Sequence, residues 1–177
     1  MAKIINVKGR QVFDSRGNPT VEAEVFLNND ISASAISPSG ASTGAFEAHE
    51  LRDQDKNNFL GKSVKKAVEN INTKIASSLK GLDSADQFKI DKTLLDLDGS
   101  ENKKNLGANA TLAVSLANSK SAALSHKKPL YQNLGKNFSL PFPLMNIING
   151  GVHADNDLNI QEFMIRPDSA KNFIDAV

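Results

Sequence analysis

The feature that most constrains this chain is a change in the period of its apolar residues. Between residues 21 and 35 they recur at every second position. Val21, Ala23, Val25 and Leu27 share one face of a strand, and Glu22 and Glu24 point the other way. Ile5 to Phe13 reads as a preceding strand, and Asp14-Ser15-Arg16-Gly17-Asn18-Pro19 is a dense turn signal between the two. Asn28-Asn29-Asp30 closes a second hairpin into Ile31, Ala33 and Ala35. These spacings predict a three-stranded antiparallel meander with one buried face and one partly wet face.

Further along, the period becomes helical. Val64, Ala67, Val68, Ile71, Ile75 and Leu79 fall on one side of a helix, opposite Lys65, Lys66, Glu69 and Lys74, and Gly81 suits its end. Ser84 and Gln87 have the spacing of a capping box for a second helix through Phe88, Leu94, Leu95 and Leu97, which Asp98-Gly99 stops. A third helix, Ala108 to Ser125, is so rich in Ala and Ser that its neighbours must approach it closely. The stretch from Gly135 to Pro143 holds two of the 6 prolines and cannot continue a helix, so it reads as a boundary. Beyond it, Leu144 to Ile148 and Ile160 to Ile165 read as short buried strands, and a last helix is expected near Ser169. Two strands cannot bury a core by themselves, so the expectation is a longer natural protein, or a fragment.

Composition narrows the function classes. Hydrophobic residues at 40% and charged ones at 23% are ordinary for a globular protein and give no support to disorder or a fibrous repeat. A net charge of +1 supplies no global field toward nucleic acid or a membrane surface. The absence of Cys removes disulfides, thiolate metal sites and cysteine nucleophiles. The first residues are too poor in apolar side chains for a signal peptide, and no apolar run approaches the ~20 residues of a membrane span. A soluble, cytoplasmic protein is expected, with surface display left open.

Three segments could carry chemistry. Ser37-Pro38-Ser39-Gly40-Ala41-Ser42-Thr43-Gly44 is small, polar and glycine-bracketed, as a lid meeting a metal or phosphate would be. It lacks the Lys of a phosphate-binding P-loop, and composition alone favours a plain surface connection. His153 sits just past the end of an expected strand, where it serves either as a donor or proton shuttle or as an ordinary loop histidine. Glu162 interrupts an apolar strand. Because Gln161 and Glu162 alternate, one of them points into a packed interior or a cavity unless the strand is an edge facing water. An acid so placed is a candidate for acid–base work or substrate orientation.

Taken in order, Asp14 to Glu22, Pro38 to Gly44, Leu106-Gly107-Ala108-Asn109-Ala110, Pro129-Leu130-Tyr131, Asn149-Gly150-Gly151-Val152-His153-Ala154 and Gln161 to Ile165 resemble the motifs of the enolase family over the whole chain. His153-Ala154-Asp155-Asn156 is similar to the bacterial version, and Val152 stands where a smaller residue is usual. The resemblance implies an α+β N-terminal domain (residues 1–136) of a three-stranded meander followed by helices. The first strands of an incomplete α/β barrel (residues 137–177) come after it. It implies dehydration of 2-phosphoglycerate to phosphoenolpyruvate by a Mg²⁺-dependent glycolytic lyase. Ser42 would ligate the second Mg²⁺, His153 would approach the phosphate or the leaving hydroxyl, and Gln161 and Glu162 would contact substrate. Arg10 and Glu22 match positions that pair across a dimer interface, in a homodimer or higher oligomer. The principal metal ligands, the Lys base and the main proton donor belong to barrel strands beyond Val177, so the chain alone is expected to be inactive. Two alternatives remain: another enolase-superfamily member with a different carboxylate substrate, or a truncated, non-catalytic piece that binds a protein partner.

Overall fold

A computed structural model of the chain describes residues 2–39, 44 and 46–177. The chain divides into two compact units, Met1–Leu134 and Gly135–Val177. The first is an α+β unit whose sheet has the order β1-β2-β3, from β1 (Ile4–Phe13), β2 (Pro19–Leu27) and β3 (Ser32–Ile36). Both pairings are antiparallel, with Gly9 opposite Ala23 and Ala23 opposite Ala35. The expected alternation is present: Val21, Ala23, Val25 and Leu27 are buried.

The helices follow in sequence and cover that apolar face. Residues 65–79 run through α1 (Lys65–Asn70), a π-helical turn (Ile71–Ile75) and α2 (Ala76–Leu79). The π turn answers a feature of the pattern. Ile71, Ile75 and Leu79 are spaced by four, and each such step overshoots a 3.6-residue turn by about 40°. The wider turn absorbs that drift, and all three side chains are fully buried. Asp53, well upstream, caps α1 by accepting the N–H groups of Lys65 and Lys66 at 2.9 Å each. Burial alone would raise the Asp53 carboxyl, but those N–H groups and Ser63 outweigh it and hold it below its ordinary value.

Next come α3 (Gln87–Asp98) and α4 (Ala108–Ser125). The cap of α3 differs from the expected Ser84–Gln87 box. Asp86 caps it, accepting from the Lys89 N–H at 3.1 Å. Ser84 is fully buried and its N–H is committed to the Ala2 carbonyl, so it cannot sit at the solvent-facing cap position. The small side chains of α4 let it lie against both the sheet and α3. Ser121 donates to the Val25 carbonyl of β2, and Asn118 reaches Ser84 and Gln87 at the head of α3. A short α5 (Leu130–Leu134) ends the unit.

The edge of β1 is closed by a side chain. Gly9 sends its N–H away from β2 to Asn72 Oδ1 at 2.7 Å, and its carbonyl accepts Asn72 Nδ2 at 3.2 Å. One carboxamide thus takes the place of a neighbouring strand. The close approach needs glycine: a Cβ at residue 9 would lie 2.9 Å from Ile71 Cβ.

The second unit pairs β4 (Met145–Asn149) antiparallel with β5 (Glu162–Ile165), and a short α6 (Phe173–Ala176) follows. The last helix therefore starts at Phe173, with Asn172 as its cap, and not near Ser169. The strands are not buried as their apolar character predicts. Ile147, Ile148, Phe163, Met164 and Ile165 are all exposed, because a two-stranded ribbon has nothing within the unit to cover either face. Among the described residues no helix is long and apolar enough to cross a membrane.

Candidate functional site

The segment leading from β3 toward Ser42 is tethered by groups that composition leaves inconspicuous. Thr20 Oγ1 donates to the Ser37 carbonyl, and Arg16 Nη2 donates to the Ser39 carbonyl at 2.9 Å. Arg52 gathers four partners: the carbonyls of Pro19 (2.8 Å) and Lys62, Ser39 Oγ (3.2 Å) and Glu50 Oε1 (2.7 Å). A planar guanidinium with fixed donors suits such a junction in a way an ammonium does not. Arg16 is set in place by its own turn, where the Asp14 carboxylate accepts the N–H groups of Asn18 and Arg16 at 2.8 and 2.9 Å. Those bonds hold the Asp14 carboxyl below its ordinary value. Sequence reasoning missed both arginines. The available signal was the Arg-bearing turn before the glycine-bracketed stretch and the Glu50/Arg52 pair straddling Leu51 after it. Ser42 itself lies outside the described residues.

Arg10 and Glu22 stand opposite each other on β1 and β2 and form an ion pair within the chain at 2.8 Å. Arg10 also binds Glu24, and that bond, with the Ser32 hydroxyl, holds the Glu24 carboxyl below its ordinary value against partial burial. The pair expected to reach across a subunit interface is thus closed internally in the single chain.

The hairpin of the second unit brings the three remaining candidates to one end. His153 closes a 3-10 turn, Gly151–His153, directly after β4. Gln161 and Glu162 lie at the start of β5, with Glu162 opposite Asn149. The Gly150 N–H donates to the Gln161 carbonyl at 2.9 Å and the Gly151 N–H to the Leu158 carbonyl at 2.7 Å, which ties the loop across the strand end. A Cβ at residue 150 would meet the Ile160 carbonyl at 2.5 Å, so this crossing requires glycine. His153 and Gln161 are exposed and Glu162 is half-buried. Gln161 is thus in solvent and Glu162 only partly covered, so neither enters a packed interior here. Asn156 makes a turn bond in this loop, accepting from the Leu158 N–H at 3.0 Å.

Among the described residues, no three His, Cys, Asp or Glu side chains gather where they could hold a metal ion. Mg²⁺ demands near-octahedral oxygen coordination, which a single serine hydroxyl does not supply. The described residues do not fit a complete Mg²⁺ site.

Two family models match the chain in order. One, described as Enolase, N-terminal domain, matches residues 4–134. The other, Enolase, C-terminal TIM barrel domain, matches residues 137–177. The first match ends at the same residue as the first compact unit.

Proposed function

Because the chain belongs to the enolase family, a family of lyases that generally use Mg²⁺ and act on a small molecule as oligomers, we propose that it is the N-terminal portion of a bacterial-type enolase. In this reading the longer polypeptide dehydrates 2-phosphoglycerate to phosphoenolpyruvate. The observation that carries it is the succession of the two family matches, with the second falling on the hairpin that gathers His153, Gln161 and Glu162. Residues 1–136 form the N-terminal domain and residues 137–177 open the barrel. Two strands do not close a barrel that needs eight.

The chemistry explains why this chain alone is inactive in our reading. Taking a proton from the carbon beside a carboxylate builds a highly charged enediolate, and such sites rely on a positioned base and acid. Each contributes about 10²–10⁴-fold, so a chain holding neither retains essentially nothing. What its own residues contribute is binding. His153 donates toward the phosphate or leaving hydroxyl, and Gln161 and Glu162 hold substrate. Ser42 is assigned to the second Mg²⁺, with no step derived through that ion. Arg10 and Glu22, on the outer face of the sheet, are assigned to the subunit interface, where their internal pair would be shared with a partner.

The test compares the 177-residue chain with a polypeptide carrying a complete barrel, following phosphoenolpyruvate by its ultraviolet absorbance. The chain alone should show no turnover and the longer polypeptide should turn over 2-phosphoglycerate. In the latter, Glu162 serves the developing transition state as well as holding substrate, so Glu162→Gln should lower kcat more than it raises KM. A longer polypeptide that ignores 2-phosphoglycerate but deprotonates another carboxylate would establish a different superfamily activity.

A further inference from the structure

The loop that closes the hairpin of the second unit begins with Asn149-Gly150, the only asparagine in the sequence that is followed by glycine. The fold uses both residues. At residue 150 a Cβ would meet the Ile160 carbonyl at 2.5 Å and Leu158 Cβ at 2.6 Å, so the crossing admits nothing larger. Asn149 accepts Asn146 Nδ2 on its side-chain oxygen and Asn156 Nδ2, at 3.0 Å, on its carbonyl.

The same dipeptide is chemically labile. The backbone nitrogen of residue 150 closes a five-membered ring when it attacks Asn149 Cγ, and glycine puts no Cβ in the way. Asn149 is exposed, so water reaches its carboxamide. The attacking nitrogen is restrained because the Gly150 N–H is committed to the Gln161 carbonyl at 2.9 Å. That bond lasts only as long as the hairpin stays closed. A two-stranded ribbon with Ile147, Ile148, Phe163 and Met164 exposed opens readily. Asn118, followed by Ser119, is by contrast fully buried within α4.

We propose that Asn149 is a site of spontaneous covalent modification, in which the Gly150 nitrogen displaces ammonia from the Asn149 side chain when the loop opens. The Gly150 N–H gives its proton to hydroxide and the N–Cγ bond forms. The Cγ–Nδ2 bond breaks as Nδ2 takes a proton from water and leaves as ammonia. Water then opens the cyclic imide at either carbonyl, giving aspartate or isoaspartate, with no change of oxidation state. Either product places a negative charge opposite Glu162, and like charges directly opposite weaken strand pairing. Isoaspartate also lengthens the main chain by one carbon at the end of β4. The modification loosens the end of the hairpin that holds His153, Gln161 and Glu162, and it is independent of any role assigned to them.

The test follows the 177-residue chain by peptide mapping with mass spectrometry and an isoaspartate-specific methylation assay. Asn149 should gain about one mass unit and yield both products faster than any other asparagine, at a rate that rises from about pH 7 to about pH 9. Unfolding in guanidinium chloride should speed the change about tenfold by freeing the Gly150 N–H. Asn156→Ala removes the groups that hold the Asn149 carbonyl and the Leu158 N–H. It should speed the change about threefold in the native chain and leave the rate in denaturant unaltered. Asn149→Gln, which would need a six-membered ring, should block it. No conversion at Asn149 in the native chain over weeks at the upper pH, whatever happens in denaturant, would overturn the site. Equal native rates with and without Asn156→Ala would overturn loop opening as its gate.

Discussion

The contact between Gly9 and Ile71 offers the sharpest test of how the first unit is held together. A Cβ at residue 9 would lie 2.9, 3.0 and 3.2 Å from Ile71 Cβ, Cγ2 and Cδ1. Ordinary carbon contacts are about 3.5–4.0 Å, so Gly9→Ala must push the helix off the strand by roughly half an ångström or more. Overpacking of that kind costs about 1–3 kcal/mol. The same displacement stretches the two bonds from Asn72 to Gly9, which places the expected loss at about 2 kcal/mol. Ile71 is fully buried, so Ile71→Ala alone should cost about 3–4 kcal/mol from lost transfer energy and the cavity left behind. The combined variant removes Cγ2 and Cδ1, two of the three atoms that resist the new methyl. It should therefore lose about 1 kcal/mol less than the sum of the single losses. Urea unfolding followed by far-ultraviolet circular dichroism suits the measurement, since the chain has no Trp and one Tyr. With m of about 1.5 kcal/mol/M, Gly9→Ala should move the midpoint down by about 1.3 M at unchanged m. Additivity within 0.3 kcal/mol, at about the precision of the method, would show that the two residues do not share the contact and would refute the reasoning.

Other outcomes follow from individual contacts. Asn72→Ala should cost about 1–2 kcal/mol and speed hydrogen exchange at Gly9, because the outer edge of β1 loses the side-chain acceptor of that N–H. Asp98 is buried; burial alone would raise its carboxyl, but the Ser100 hydroxyl and the N–H groups of Leu106 (2.6 Å) and Ser100 hold it below its ordinary value. A lowered folded-state pKa stabilises above the unfolded value of about 3.9 and is lost as pH falls below it, so Asp98→Asn should flatten the acid limb of a stability–pH profile while lowering stability near neutrality by about 2 kcal/mol. Gly150→Ala should abolish protection of the Gly150 and Gly151 amides in hydrogen exchange and leave that of α4 unchanged, since its Cβ would collide with the Ile160 carbonyl.

The sequence by itself determined the order and kind of the three sheet strands and of the helices through Ser125, though not the short α5 (Leu130–Leu134). Alternation along Val21 to Leu27 and helical spacing along Val64 to Leu79 are local properties, and the side chains that show them are the ones that end up buried. The family was legible for a related reason: its motifs are short runs whose residue types and order need no geometry to be read, and the family matches cover residues 4–134 and 137–177. Whatever depended on a distant partner was decided only by tertiary structure. Asp86 rather than Ser84 caps α3 because Ser84 is pinned to Ala2, far away in the chain, by the pairing of the chain's start with residues 81–84 and by no local rule. The Asn72 clasp on Gly9 and the convergence of Arg16 and Arg52 on Ser39 join residues far apart in the chain, and each is an ordinary polar side chain until the fold brings its acceptor within reach. The hairpin shows the converse. Its apolar strands read as buried, but burial is a property of what packs against them, and the two strands of the second unit leave Phe163 and Ile165 in solvent.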